Sequence, residues 1–203
     1  MMYTDLKRIG LAAITLALIL SGGVLYHLYI GSESKFEQVL SGSEAVPKYF
    51  DDQDFVSLSR TACFGSCPVY TVKIFGSGRV EFNGEWFTCV EGLALSRIPR
   101  ASAQRLLYAI VESGFTMFPD FDREDRTDAP GAMVLLSVGT DSHRVNHYHG
   151  MMFVPGVVSA IEMKIDELAT TSQWLPTKRD GSLFCPSPDG TERDIFFGIG
   201  GGG

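Results

Sequence analysis

Between Ile9 and Ile30 the chain has no Asp, Glu, Lys or Arg, and Lys7 and Arg8 stand immediately before this run. Its twenty-two residues, wound as a helix, would extend about 33 Å, enough to cross the hydrocarbon layer of a bilayer. Read this way, residues 1–8 form a cytoplasmic N-terminus and residues 9–30 a transmembrane signal anchor. Lys7 and Arg8 stay on the cytoplasmic side, and Tyr26 and Tyr29 sit near an interface. A competing reading ends the apolar run at Leu20 and takes Ser21, Gly22 and Gly23 as the small residues of a signal-peptidase site, which would release the remainder as a secreted protein. Either way the rest of the chain is exported. The expectation is a single-pass inner-membrane protein whose domain faces the periplasm, an oxidising space in which thiols pair.

The 203-residue chain is 45% hydrophobic and 20% charged, which suffices for one ordinary core. Its net charge of -7 comes from scattered acids. With no run of Lys or Arg to follow a phosphate backbone, nucleic acid is not expected as a partner. Residues 31–53 are rich in Ser, Glu and Gly and read as a tether. Residues 54–175 read as the folded domain, and residues 176–203, ending in Gly-Ile-Gly-Gly-Gly-Gly, as a flexible Gly-rich tail.

Within the domain, "FVSLSR" and "YTVKIF" alternate, placing Val56 with Leu58, and Tyr70 with Val72 and Ile74, on single faces. The Gly76–Gly78 turn leads to "RVEF", and a fourth strand is expected over Trp86–Val90. Ala103, Leu106, Leu107, Ile110 and Val111 follow helical spacing between Pro99 and Gly114. A second hairpin is expected around Gly139–Ser142. A second helix then opens at Pro155 and carries Val158, Ile161, Ile165 and Leu168 on one face. The order is four strands, a helix, two strands and a helix. Neither helix buries its stripe alone, so the expected fold is a two-layer α+β domain, a mainly antiparallel sheet with both helices across one face.

Cys63 and Cys67 flank Phe-Gly-Ser and are followed by Pro68. In a regular strand their Cα atoms would be about 13 Å apart, beyond the roughly 7 Å limit for a disulfide, so pairing requires the chain to turn. Gly65 and Ser66 permit that turn, and a Cys63–Cys67 disulfide is expected. Cys89 and Cys185 remain as a second pair, although Cys89 also reads as a small buried hydrophobe. The other reading makes Cys63 and Cys67 a reactive dithiol or, with His147, a metal clip. A strand after Pro68 argues against the dithiol, because a helix start is what lowers thiol pKa in such motifs. His143, His147 and His149 fall on one face of a strand, so imidazoles and thiolates have the geometry to meet on zinc or copper. The plainer account has Val145 in the core, His147 hydrogen-bonded at its margin, and the other two in water.

The acidic stretch Phe118–Pro130 lacks the glycine and terminal glutamate of a calcium loop, and Asp128 reads as a turn cap. There is no nucleophile elbow, phosphate loop or dinucleotide fingerprint.

"SLSRTACFGSCPVYTVKIFGSGRVEF", "TDAP" at 127–130, "VNHYHG" at 145–150, Pro155, Ile165-Asp166 and Trp174 together resemble a bacterial domain-of-unknown-function family. Its members carry a Cys-Phe-Gly-x-Cys-Pro-x-Tyr signature in a compact secreted or lipid-anchored domain. The resemblance covers about residues 54–175, implies an envelope-associated domain, and assigns no reaction. No lipobox cysteine follows the apolar run here.

These features predict a membrane-anchored extracytoplasmic domain that acts by binding or as a structural envelope protein, without catalysis and without a cofactor. Phe64, Tyr70, His147 and Tyr148 are its expected contact residues, and an envelope protein or small ligand its expected partner. The alternative is a metal-handling or thiol-redox protein using Cys63 and Cys67 with His147.

Overall fold

The computed structural model describes residues 31–42, 46, 49–121, 128–179, 182–186 and 192–194. Among them no helix is long and apolar enough to cross a membrane. The anchor expected at 9–30, the cytoplasmic residues 1–8 and the terminal glycines lie outside the described residues.

Six strands form one antiparallel sheet: β1 Phe55–Arg60, β2 Val69–Phe75, β3 Arg79–Trp86, β4 Gly92–Arg97, β5 Gly131–Val138 and β6 Asp141–Tyr148. Their spatial order is β4-β3-β2-β1-β5-β6. The central pairing sets Leu58 opposite Val72 on one side and Val134 on the other, and Val134 in turn opposite Val145. A row of apolar side chains thus crosses the sheet on one face, and all four are essentially fully buried. Alternation sends Ser59, Thr71, Met133 and Asn146 to the opposite face.

Three helices complete the core: α1 over residues 31–41, α2 Arg100–Glu112 and α3 Gly156–Ala169. Pro99 and Pro155 occupy the positions just before α2 and α3, where a missing N–H removes no helical bond. Leu106, Leu107 and Ile110 of α2 and Val158, Ile161 and Ile165 of α3 enter one continuous cluster with Val56, Val72, Phe82 and Val134. Inside α2, Gln104 is buried, but its amide is satisfied: Nε2 donates to the carbonyls of Phe50 and Gly76, and Oε1 accepts from the Phe50 N–H. One polar side chain thereby fastens the segment before β1 to the β2–β3 turn.

The structure corrects three expectations. Residues 31–53 do not form a plain tether, because α1 and the approach to β1 supply Phe36 and Phe50, both fully buried, and Lys35 pairs with Glu112 of α2 at 2.8 Å. A phenylalanine taken wholly out of water is worth about 2 kcal/mol, which a polar composition conceals. The fourth strand is Gly92–Arg97 instead of Trp86–Val90; β3 runs on to Trp86, and Thr88 then closes a turn by donating from Oγ1 to the Val90 carbonyl. Finally, the tail contains a second antiparallel sheet of β7 Thr177–Arg179, β8 Ser182–Pro186 and β9 Glu192–Asp194. It is held to the domain by a Cys89–Cys185 disulfide.

Candidate functional site

The chain leaves β1 after Arg60 and reverses at once. Cys63 and Cys67 form a disulfide with their Cα atoms 5.7 Å apart, and Gly65, at φ 145°, supplies a backbone conformation that side-chain-bearing residues rarely adopt. The loop is tied to the segment before β5: the Phe64 N–H donates to the Asp128 carbonyl at 3.3 Å, and the Thr61 N–H to the Gly131 carbonyl at 3.0 Å. Thr61 Oγ1 accepts from the Gly131 N–H at 2.8 Å. The ring therefore sets the shape of one wall of a pocket.

That pocket has a volume of about 460 Å³ and is bounded by residues 61–64, Asp128 and Ala129, and the strand ends 131–133 and 146–148. The side chains of Met133, Asn146 and Tyr148 belong to the sheet face away from the helices. Tyr148 is buried, and its hydroxyl accepts from the Ala129 N–H at 3.1 Å. Phe64, by contrast, is 92% exposed at the rim.

On the helix-covered face of the same strand ends stands a second constellation. Arg60 of β1 donates from one guanidinium nitrogen to Glu162 Oε2 at 2.8 Å and from another to Asp166 Oδ2 at 2.9 Å. Both acids come from α3, four residues apart and so on one side of the helix. His147 of β6 reaches Glu162 Oε1 through Nδ1 at 2.6 Å, and His149 reaches Glu162 Oε2 through Nε2 at 3.0 Å. Tyr70 and Thr171 donate their hydroxyls to Asp166 Oδ1 at 2.8 and 3.0 Å.

Burial pushes the Glu162 carboxyl upward, but the hydrogen bond from His147 and the charges of Arg60, His147 and His149 outweigh it, so its pKa lies below the usual carboxylate value. An ionised carboxylate only accepts, so in the 2.6 Å contact the His147 Nδ1–H donates to Glu162; His149 Nε2 lies between Glu162 Oε2 and the Arg60 guanidinium, which approaches it to 3.4 Å. The Tyr70 hydroxyl is raised well above the usual phenol value by burial and by the neighbouring Asp166. Arg60 is raised despite its burial, through Asp166 and Glu162. The Arg60 guanidinium and the Glu162 carboxylate thus each favour the other's charged form.

Of the four residues expected to make contacts, the structure brings Phe64, His147 and Tyr148 to the pocket lining. Tyr70 is not a surface residue; it is buried with its hydroxyl on Asp166, because β2 turns Tyr70 to the same side as Val72. The Cys63 and Cys67 sulfurs are bonded to each other, and the His147 ring reaches Glu162 on the helix side. His143 also stands apart, its Nε2 3.0 Å from the Phe118 carbonyl. The group of metal-capable side chains among the described residues is instead His147, His149 and Glu162, whose ligand atoms all lie within 4.8 Å of one another.

Sequence reasoning missed Glu162. The signal was present, since Glu162 lies four residues after Val158 and three before Ile165, inside the apolar stripe of α3. A carboxylate at such a position must find partners or remain neutral. Arg60 was equally legible, as the even-numbered residue that continues the inward row Val56 and Leu58.

Residues 54–169 match the family Domain of unknown function (DUF6438), and the chain belongs to that family. No curated protein matches the sequence.

Proposed function

We propose that this protein is a membrane-anchored extracytoplasmic domain that works by binding, with no catalysis of its own, and that its partner, an envelope protein or a small ligand, is engaged at the Cys63–Cys67 loop. The observation that carries this reading is the pocket of about 460 Å³ on the helix-free sheet face, with Phe64 standing almost fully exposed at its rim. A large apolar ring on a covalently closed loop offers contact area while losing little conformational freedom on binding. Thr61 Oγ1 and the Tyr148 hydroxyl are tied to main-chain groups of Gly131 and Ala129, a wall built for shape. The disulfides suit an oxidising compartment, and the charge-free run at 9–30 supplies the anchor.

Two measurements test this. A photo-crosslinking phenylalanine analogue placed at position 64 in cells should give a discrete adduct, whereas the same group at Met163, an exposed position on α3, should not. Identical adduct patterns from both positions, or none from either, count against the reading. Compartment is tested separately: a phosphatase fused to the C-terminus should be active only if that end lies outside the cytoplasm.

A further inference from the structure

We propose that His147, His149 and Glu162 form a binding site for a divalent transition-metal ion of the zinc class, on the helix-covered side of the sheet and adjoining the pocket whose lining His147 shares. His147 and His149 are two residues apart at the end of β6, so strand alternation sends both imidazoles to one side. Their ring centroids are 4.5 Å apart. From α3, Glu162 presents one oxygen to each ring, Oε1 to His147 Nδ1 at 2.6 Å and Oε2 to His149 Nε2 at 3.0 Å. Two imidazoles and one carboxylate are a known zinc ligand set that leaves a fourth position open. A metal on His147 Nδ1 and His149 Nε2 would take the ring lone pairs, each neutral imidazole then carrying its proton on the other nitrogen.

Burial and charge suit an ion. Glu162 is 2% exposed, while the His149 side chain is 32% exposed, so the group combines a shielded anionic ligand with an approach from solvent. Arg60 opposes a cation here, its guanidinium standing 2.8 Å from Glu162 Oε2 and 3.4 Å from His149 Nε2. Its other guanidinium nitrogen bonds Asp166 at 2.9 Å, so its charge is divided between two acids. Arg60 then acts as the outer hydrogen-bond donor that orients a ligating carboxylate. A purely structural clamp would need Arg60 on the two acids; it would not need both imidazoles directed at the same carboxylate.

The test uses full-length protein stripped with a chelator and titrated with Co²⁺, then Zn²⁺. The expected result is saturation at one ion per chain, visible Co²⁺ absorption of a low-coordinate site, and displacement by Zn²⁺. His149→Ala, which removes a partly exposed ring, should weaken Co²⁺ binding by about 100-fold or more while the near-ultraviolet circular dichroism stays that of the native fold. His143→Ala should bind as the wild type does. In the unmodified protein, Zn²⁺ should shift the ring resonances of two of the four histidines. No saturable Co²⁺ spectrum, undiminished affinity in His149→Ala, or ring shifts at other histidines would overturn the proposal.

Discussion

At the scale of the residue, the arrangement of charge around α3 decides more than any single apolar contact. Glu162 and Asp166 share Arg60, and the cost of the buried Glu162 and the partly buried Asp166 is offset in large part by that guanidinium. Arg60→Ala should lower stability by about 3 kcal/mol at neutral pH, measured by urea unfolding with chelator present. Acid should narrow the difference. Glu162 has a folded pKa below its ordinary value, so its contribution is complete above about pH 4.3 and disappears as pH falls through the lowered value. Removing Arg60 takes away one cause of that lowering, with His147 and His149 still facing Glu162, and Tyr70 and Thr171 still facing Asp166. The variant should therefore lose less stability on acidification than the wild type. A difference that stays constant from pH 7 to pH 3 would refute this account. In the sequence the acids were visible as helix residues and Arg60 as a strand residue, but their meeting was not, because 102 positions separate Arg60 from Glu162.

At the scale of the element, alternation and helical spacing were sufficient for most strands and both predicted helices, since burial of one face is a local pattern. The Gly139 turn joins β5 and β6 where the sequence placed it. The misplaced fourth strand shows where local pattern ends. Trp86–Val90 is as apolar as a strand, yet the chain turns there to let β4 return along β3, and a close backbone approach makes room for it. A Cβ added at Gly84 would lie 2.0 Å from the Val90 carbonyl oxygen and 2.5 Å from Thr88 Oγ1. Gly84→Ala should therefore shift the 86–91 turn and destabilise the domain by about 2 kcal/mol or more, read from the thermal midpoint. A midpoint within a degree of the wild type would show that the approach is looser than described.

At the scale of the whole molecule, two disulfides act over very different spans. Cys63–Cys67 joins residues four apart, whereas Cys89–Cys185 joins residues 96 apart and binds the small β7-β8-β9 sheet to the domain. The main-chain bond from the Cys89 N–H to the Trp174 carbonyl, 2.8 Å, and the stack of Tyr70, Phe82 and Trp174, with successive centroids 5.2 and 4.7 Å apart, place Cys89 beside the start of that tail. Loop entropy assigns about 4 to 5 kcal/mol to closing the long ring and about 2 kcal/mol to the short one. Replacing Cys89 and Cys185 by serine should cost more stability than the same change at Cys63 and Cys67; equal losses would mean the tail contributes little to the fold. The sequence by itself determined the two-layer α+β plan and the turn between Cys63 and Cys67, because these follow from periodicity and chain reach over a few residues. Only the tertiary structure decided that part of the polar tether is a helix with a buried phenylalanine, that the tail is pinned at Cys185, and that Glu162 gathers two histidines and an arginine. Each of those depends on residues far apart in the chain being brought within bonding distance, and no local pattern encodes which distant partner a side chain will meet.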